Sequence, residues 1–236
     1  EGVKECINKA VQHFKKKSTP YALLVRKGSF KKYESILKSP ESKYNLKRED
    51  LIKIIIDNIT NDSAVVSTTG MCSRELYEYR EKTSTVRDFM CVGNMGHTSS
   101  IGLGVSLNTD KLTYVLDGDG SILMHMGSMA INGQFAGSNF KHILLNNGAH
   151  DSVGGQQTVG YDISFNDLAL SQGYKVIKCK DFNCYSEISN SLELLEKEGG
   201  PVFLELRCCK GARKDLGRPK TKPFENKRFF QEHLLK

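Results

Sequence analysis

Two stretches, TYVLDGDGS at residues 113–121 and HILLNNG at residues 142–148, decide the fold. Each opens with an apolar run typical of a buried strand and closes on a turn rich in glycine, acid or amide. In the first turn the glycines let the backbone approach a ligand closely. The helix that we expect to begin at Ser121 would present free N–H groups to a phosphate, and Asp119 is an oxygen donor suited to Mg²⁺.

Two amide side chains, Asn146 and Asn147, follow the second strand. One strand–helix–strand step separates this strand from the first, so we expect the two strand ends to lie side by side. Amide and carbonyl oxygens there, with oxygens of a diphosphate, would complete an octahedral site around the cation that Asp119 binds. The paired turns therefore predict a site for a divalent cation and a diphosphate.

Further apolar runs alternate with helical patterns on either side of these turns. The strands are continuously apolar, which is typical of a parallel sheet covered on both faces. The predicted fold class is therefore α/β, a doubly wound, mainly parallel sheet with helices on both faces. The predicted strands are 64–68, 88–92, 113–117, 142–146, 174–178 and 201–207, and the predicted helices are 48–59, 73–79, one that begins within 93–107, 121–135, 164–172 and 184–197.

The two ends of the chain differ from this central alternation. Residues 3–17 have the apolar spacing of an amphipathic helix, 21–25 form a short apolar run that predicts a strand, and 27–48 are polar and lysine-rich, as in a linker. We interpret this helix and strand as the tail of a preceding unit. Residues 210–223 are basic and broken by proline and glycine, so we expect a loop there.

The distribution of charge narrows the class of ligand. The net charge is +7, but 13 basic and 4 acidic residues lie in 1–48, 11 basic and 20 acidic residues in 49–205, and 10 basic and 3 acidic residues in 206–236. Two basic flanks around an acidic middle, without a nucleic-acid-binding motif, favour a solvated surface or an anionic small substrate over nucleic acid.

The cysteines and the apolar runs indicate the compartment. The seven cysteines are odd in number and include no C-x-x-C pair. That usage argues against a disulfide scaffold and a zinc knuckle and for a reducing compartment, so we expect a cytoplasmic protein. No apolar run approaches the ~18 residues that span a bilayer, and we expect no membrane partner.

Five stretches of the chain resemble the thiamine-diphosphate-dependent 2-oxo acid decarboxylases, in the branch that acts on phosphonopyruvate and sulfopyruvate. The resemblance covers nearly the whole chain. These stretches are STTGMCSRE at 67–75, VGNMGH at 92–97, LDGDGSILMHMG at 116–127, NNGAHDSVGG at 146–155 and GARKDLGRP at 211–219. The resemblance implies thiamine diphosphate and Mg²⁺ as cofactors, with the thiazolium ring taking up the electrons released as CO₂ leaves a 2-oxo acid.

The resemblance also implies which residues hold the cofactors. The Mg²⁺ ligands would be Asp119, the Asn147 side chain and the Ala149 carbonyl, with Asn146 the less favoured amide. The diphosphate would lie among Thr68, Thr69, Gly118, Gly120 and Ser121.

Four more residues would face the rings of the cofactor. Met95 would be the bulky wedge that bends the cofactor, unless it is an ordinary core residue, and the Gly93 carbonyl would accept a hydrogen bond from the aminopyrimidine. His150 and Asp151 follow the metal loop and are the candidate catalytic residues, as a proton shuttle or, alternatively, as a hydrogen-bonded loop pair.

Other candidates carry a weaker signal. His97 and His125 would touch the cofactor or serve a structural role. A substrate with a second anionic group suits a guanidinium fork, although charged runs are also typical of solvated surfaces. The candidate anion contacts are Arg74, Arg213, Lys214 and Arg218.

The reaction that the resemblance implies is non-oxidative decarboxylation of 3-phosphonopyruvate to phosphonoacetaldehyde and CO₂. Sulfopyruvate is the alternative substrate, because a sulfonate is nearly isosteric with a phosphonate. Two other functions stay open: a non-catalytic cofactor-binding fragment or subunit, and a Mg²⁺-dependent nucleotide binder. The sequence lacks the G-x-x-x-x-G-K-[ST] phosphate loop, which disfavours the nucleotide binder.

In this family a glutamate on a separate pyrimidine-binding domain activates the cofactor, and that domain comes first in sequence. The resemblance therefore implies three parts: the tail of that domain plus a linker at 1–45, the diphosphate-binding domain at 46–209, and a basic loop with a short helix at 210–236. Neither Glu1 nor Glu5 has the context of the activating glutamate. We expect the chain to be inactive alone, to need a pyrimidine-binding domain or subunit in cis or in trans, and to form a homo-oligomer.

Overall fold

The structure, a computed structural model, describes residues 2–31, 42–83 and 87–236, and the chain divides into two compact units at residues 1–40 and 41–236. In the first unit, helix α1 spans Gly2–Lys16, close to the predicted bounds. Its basic residues gather in the last turn, where positive charge favours the helix dipole. Ala10 is its buried residue, whereas Phe14 is exposed.

The strand predicted at residues 21–25 does not form. Leu24 is 96% exposed, and within the described part of the chain these residues pair with no strand. An extended segment becomes a strand only when a neighbour takes up its backbone hydrogen bonds, so the apolar run alone was not sufficient. The predicted linker lies in part outside the described residues, and it ends where Arg48 begins the next helix.

The second unit is built on a parallel sheet. Its strands are β1 (Ala64–Ser67), β2 (Phe89–Met90), β3 (Thr113–Gly118), β4 (Phe140–Asn146), β5 (Ala149–His150), β6 (Gln156–Gln157), β7 (Lys175–Ile177) and β8 (Val202–Arg207). Six of them form one sheet in the order β2-β1-β3-β4-β8-β7, and every neighbouring pair is parallel. The two remaining strands, β5 and β6, form a small antiparallel hairpin. The predicted fold class is confirmed.

Helices cover both faces of this sheet. They are α2 (Arg48–Asn58), α3 (Met71–Thr83), α4 (Thr98–Ser106), α5 (Asp119–Met124), α6 (Gly127–Phe135), α7 (Phe165–Ser171), α8 (Tyr185–Lys197) and α9 (Pro223–Leu234). Among the described helices, none has both the length and the apolar character that crossing a membrane requires.

Successive side chains of one strand decide which helices pack on which face. In β3, Tyr114 and Leu116 point into a core formed with α2, α3 and α8. Val115, between them, points into a second core formed with α5, α6 and α7. The period of two along a strand therefore divides one apolar run between two cores.

The prediction of a single helix at 121–135 is wrong in two respects. The helix begins at Asp119 rather than Ser121, and it breaks into α5 and α6 at His125, whose backbone leaves the helical region at φ −134° and ψ 49°. The His125 ring packs on the His97 ring with 4.3 Å between the centroids. Gly127 begins the second helix, and its low helix propensity makes a break at this point inexpensive.

The direction of strand addition reverses between β1 and β3. From β1 the chain passes through α3 to β2 on one side, and from β2 it passes through α4 to β3 on the other side of β1. In open parallel sheets, ligands bind at such a reversal, beside the carboxyl ends of the strands. The fold therefore directs attention to the residues that follow β1 and β3.

Candidate functional site

A cleft lies where these strands end. Strands β3 and β4 pair in parallel register, with Asp117 opposite Leu144 and Gly118 opposite Leu145, so the two sequence turns emerge side by side. The cleft is lined by most of the residues that the sequence pointed to as cofactor, metal or catalytic residues, namely Thr68, Thr69, Met95, Gly118, Asp119, Gly120, Ser121, Asn147, Ala149, His150 and Asp151.

Asp119 is a buried carboxylate, with 1% of its surface exposed. Burial raises the pKa of this carboxyl, and a hydrogen bond from the Thr158 hydroxyl opposes that shift. Gly160 lies so close above it that a Cβ there would come within 2.6 Å of Asp119 Oδ2. A buried negative charge in such a site favours a cation as its partner.

The two neighbouring amides have different surroundings. Asn146 donates to the Gly160 carbonyl and to Glu205, both at 2.7 Å, and its Oδ1 accepts from the Gly148 backbone N–H at 3.1 Å. Its polar atoms are therefore engaged in holding the loop. Asn147 lines the cleft and donates to Asp151 at 2.6 Å, while its Oδ1 makes only a long contact of 3.3 Å with the Ala149 N–H.

Ser121 connects three loops at the base of the cleft. Its Oγ accepts from the Thr68 hydroxyl, which follows β1, and from the Gly96 backbone N–H, each at 3.1 Å. These bonds fix the loop that carries Met95 against the turn after β3. The cleft is therefore held together before any ligand binds.

Gly120 shows why the turn needs glycine. A Cβ on this residue would lie 2.5 Å from His150 Cε1 and 3.1 Å from Met95 Cε. A larger residue would therefore force these two side chains away. The turn thus brings the backbone, an imidazole and a thioether into close contact at one wall of the cleft.

The donor set fits a hard cation held together with a phosphate ligand. Within residues 2–31, 42–83 and 87–236 there is no cluster of three or more His, Cys, Asp or Glu side chains that would hold a metal by themselves. Asp119, the Asn147 amide and the Ala149 carbonyl offer oxygens only, and the remaining ligands would come from diphosphate and water, as Mg²⁺ prefers. The binding roles of these residues stay predictions.

Arg48 is a residue of the cleft that the sequence did not point to. It begins α2 and is 7% exposed, and it contacts Glu75 through Nε at 2.8 Å and Asp151 through Nη1 at 3.1 Å. Its only sequence signal is an arginine at the head of an otherwise apolar helical pattern. The same Asp151 oxygen also accepts from Asn147 and from the Gly211 N–H at 3.0 Å.

This network bears on the two candidate catalytic residues. Because the same Asp151 oxygen accepts three hydrogen bonds, its carboxylate is held in a loop network. His150 is half-buried and faces Gly120 inside the cleft, and its side chain makes no hydrogen bond to another described residue. The imidazole is therefore better placed than the carboxylate to meet a bound molecule.

Three predicted contacts lie away from the lining of the cleft. Gly93 is in an exposed turn with φ +81°, and its carbonyl accepts from the Met95 N–H at 2.5 Å. His97 and His125 are both exposed and stack on each other. Among the described residues that line the cleft, neither Gly93 nor the two histidines is included.

The cysteines are unpaired, and those in the core are inert. All seven are free thiols. Burial raises the pKa of Cys72, which lines the cleft, to about 12, so this thiol stays protonated.

Comparison with known proteins agrees with this geometry. Residues 66–206 match the family described as "Thiamine pyrophosphate enzyme, C-terminal TPP binding domain". The chain is 38% identical to phosphonopyruvate decarboxylase of Streptomyces viridochromogenes, over 75% of this chain and 43% of that protein. It is 36% identical to sulfopyruvate decarboxylase subunit beta of Methanocaldococcus jannaschii, over 69% of this chain and 80% of that protein.

A solved structure adds evidence on the fold alone. Benzoylformate decarboxylase from Polynucleobacter necessarius aligns with a TM-score of 0.60 and 12% identity, over 76% of this chain and 36% of that chain. The chain thus spans less than half the length of the Streptomyces relative and most of the length of the β subunit. The resemblance drawn from the sequence motifs is confirmed: this chain belongs to the thiamine pyrophosphate enzymes, of which it carries the C-terminal TPP-binding domain.

Proposed function

We propose that this chain supplies the diphosphate- and Mg²⁺-binding half of a decarboxylase for a 2-oxo acid with a second anionic group. The single observation that carries the proposal is the parallel register of β3 and β4, which sets the DGDGS turn beside Asn147. Our first choice of substrate is 3-phosphonopyruvate, which would give phosphonoacetaldehyde and CO₂. Sulfopyruvate is the alternative, since relatives with both names match at similar identity.

The proposed roles follow the geometry of the cleft. Asp119, Asn147 and the Ala149 carbonyl would hold Mg²⁺, and the backbone from Gly118 to Ser121, with Thr68 and Thr69, would hold the diphosphate. When bound, thiamine diphosphate supplies the electron sink that loss of CO₂ from a 2-oxo acid requires. The chain's own contribution would be to orient the cofactor, to exclude water and, through His150, to move a proton.

The proposal includes a partner. The β-subunit name of the Methanocaldococcus relative, and the longer Streptomyces relative, both fit a second subunit or domain that works with this one. We infer that a pyrimidine-binding segment, in cis or in trans, brings the activating glutamate to the cofactor. The assembly would be a homo-oligomer of such units, and its free thiols suit the cytoplasm.

Isothermal titration calorimetry of the purified chain tests the cofactor proposal. We expect thiamine diphosphate to bind only when Mg²⁺ is present, and ATP with Mg²⁺ to bind at least about tenfold more weakly. Tighter binding of ATP would favour the nucleotide binder instead. Binding of thiamine diphosphate that is indifferent to Mg²⁺ would contradict the proposed metal ligands.

Reconstitution tests the reaction. The chain loaded with cofactor would be mixed with the pyrimidine-binding partner, and CO₂ release would be measured from 3-phosphonopyruvate and from sulfopyruvate. We expect activity only in the mixture, with the higher kcat/KM on 3-phosphonopyruvate. A higher value on sulfopyruvate would reverse the choice of substrate, and a loaded mixture without CO₂ release would favour the non-catalytic subunit.

A further inference from the structure

We propose that a second cavity, the arginine hollow between Arg74 on α3 and Arg218 in the C-terminal segment, binds the distal phosphonate or sulfonate of the substrate. The inference rests on the proposed function and makes it more specific. It assigns a binding site to the distal anionic group, which pyruvate lacks. The ligand chemistry is a tetrahedral oxyanion on a short carbon chain.

The arginine hollow opens directly beside the cofactor cleft. Thr69 and Ser152 line both cavities, so they form the boundary between them. Its floor follows the ends of β1 and β2, at Gly70 and Val92. Because the two cavities adjoin, we assign the keto carbon of the substrate to the cleft and its distal anion to the arginine hollow.

The two arginines carry charge that the protein leaves without a carboxylate partner. Within the part of the chain that the structure describes, neither Arg74 nor Arg218 forms an ion pair. By contrast Arg213, the third arginine of this region, contacts Glu49 at 3.0 Å as well as Glu78 and Asp215. Arg213 is thus bound to carboxylates of the protein itself, which favours Arg74 and Arg218 over it as contacts of the substrate anion.

Arg218 is exposed, but the segment that carries it is fixed at both ends. On one side, the Gly217 N–H donates to Glu78 at 2.7 Å. On the other side, Asn226 accepts from the Met90 N–H at 3.1 Å and donates to the Asp88 carbonyl at 2.8 Å. These anchors fix the segment in which Arg218 lines the arginine hollow together with Arg74.

A neutral donor completes the wall. The Thr221 hydroxyl is buried in the wall of the arginine hollow and has no hydrogen-bond partner among the described residues. A buried hydroxyl without a partner is uncommon in native proteins, and a ligand oxygen would satisfy it. Two guanidinium forks and a hydroxyl are a suitable set for a phosphonate with up to two negative charges.

The first test uses the chain alone and an analogue that cannot react. The probe is 3-phosphonopropionate, which lacks the keto group, and its binding is measured by ³¹P NMR titration with and without thiamine diphosphate and Mg²⁺. Arg74→Met and Arg218→Met should each weaken binding about tenfold, which is the usual effect of losing a charge-assisted hydrogen bond. Propionate, which has no distal anion and is followed by ¹H NMR, should bind weakly and equally to all forms.

Lys227→Met is the matched control. Lys227 is an exposed cation on α9, and it is not among the residues that line the arginine hollow. Its loss should change the affinity for 3-phosphonopropionate by less than about twofold, as expected for a screened surface charge. An equal loss in all three variants would mean a general field effect and would overturn the assignment.

The cofactor titration separates the two proposals. If thiamine diphosphate binds equally to the wild type and both arginine variants, while only 3-phosphonopropionate binding is lost, both proposals are supported. If the arginine variants lose the cofactor instead, these side chains hold the diphosphate and the inference falls while the proposed function stands. If the wild-type chain takes the phosphonate but no cofactor, the proposed function falls by itself.

The second test uses the reconstituted enzyme. Arg74→Met and Arg218→Met should raise KM for 3-phosphonopyruvate about tenfold, whereas kcat/KM on pyruvate should stay unchanged. Melting temperatures of the variants monitor folding. An equal loss of kcat/KM on both acids would show that the arginines do not bind the distal anion.

Discussion

Asp119 is a buried carboxylate whose cost to the free protein the proposed cation would offset. Its carboxylate is almost fully buried. Burial raises its pKa because loss of hydration destabilises the charged form. The nearby donors, among them the Thr158 hydroxyl, reduce that cost. A residue in this situation is better explained by a cation than by the stability of the fold.

Asp119→Asn tests this interpretation. Removing the buried charge should leave the melting temperature of the free chain unchanged or higher, because the desolvation cost disappears. The Mg²⁺-dependent affinity for thiamine diphosphate should fall by about tenfold or more. Differential scanning calorimetry and titration calorimetry give the two readouts, and Asp162→Asn, at an exposed position, is the control. An unchanged affinity would remove Asp119 from the metal site.

Arg48→Met tests the buried ion network. The substitution leaves Glu75 and Asp151 without their guanidinium, so the free energy of unfolding should fall by about 3 kcal/mol, as when one partner of a buried pair is removed. The double variant R48M/E75Q should recover part of the loss. Urea unfolding measures both, and a loss below about 1 kcal/mol would mean that the network is only peripheral.

The same variant should show a defined pH dependence. Burial already raises the pKa of Glu75 above its usual value, and loss of the guanidinium raises it further. A carboxyl whose folded-state pKa exceeds its unfolded-state pKa binds protons more tightly when folded, so the penalty shrinks as the pH falls from about 8 to about 5. R48M should therefore approach wild-type stability at the acidic end.

At the scale of elements, strand prediction succeeded where the sheet is buried on both sides. The apolar runs predicted β3 to within one residue and β4 to within two residues of the observed bounds, because parallel strands between two helix layers are apolar along their whole length. The strand at 21–25 failed because pairing depends on a neighbour that a local pattern does not reveal. The helix at 121–135 failed because His125 turns away to stack on a distant ring.

The residues of the site also fall into those that the sequence predicted and those that it missed. Residues within the glycine-rich turns were found, because a turn of that composition has a local physical meaning. Arg48 and Thr158 were missed, since they reach Asp151 and Asp119 from 103 and 39 residues away in the chain. Only the three-dimensional structure brings such partners together.

Gly102 tests how α4 packs on the sheet. A Cβ there would lie 2.2 Å from Val115 Cγ2, so Gly102→Ala should lower the free energy of unfolding by about 1–3 kcal/mol. Gly104→Ala, on the same helix but open to solvent, should stabilise by about 0.5–1 kcal/mol. The effect of G102A should be smaller in a V115A background, as a double-mutant cycle by chemical denaturation will show. Equal effects in both backgrounds would contradict the close contact.

In the whole molecule, the C-terminal segment packs against the edge of the sheet. Asn226 on α9 bonds to the backbone of β2 and its neighbour Asp88, and Phe230 packs beside Phe89 with 5.6 Å between ring centroids. These contacts cover the edge of the sheet at a strand of only two residues. The basic segment therefore stabilises the short strand and carries Arg218 to its place.

Asn226→Ala should destabilise the edge of the sheet at β2 more than its centre. One buried and one partly buried hydrogen bond to backbone groups are lost, so the free energy of unfolding should fall by about 1–3 kcal/mol. Hydrogen exchange should accelerate at residues 87–93 more than in β3 or β4. Lys227→Ala, an exposed neighbour on the same helix, is the control. Uniform acceleration over the whole sheet would mean that the edge does not open separately.

The Thr158 hydroxyl donates a hydrogen bond to Oδ2 of Asp119, the carboxylate that we propose as a metal ligand. A divalent ion bound through this oxygen would displace the hydroxyl, which would move aside by rotation about one bond. The loss of about one hydrogen bond, near 1 kcal/mol, would lower the apparent affinity for the ion by about fivefold. In return, the hydrogen bond offsets part of the desolvation of the carboxylate and so favours the stability of the free protein.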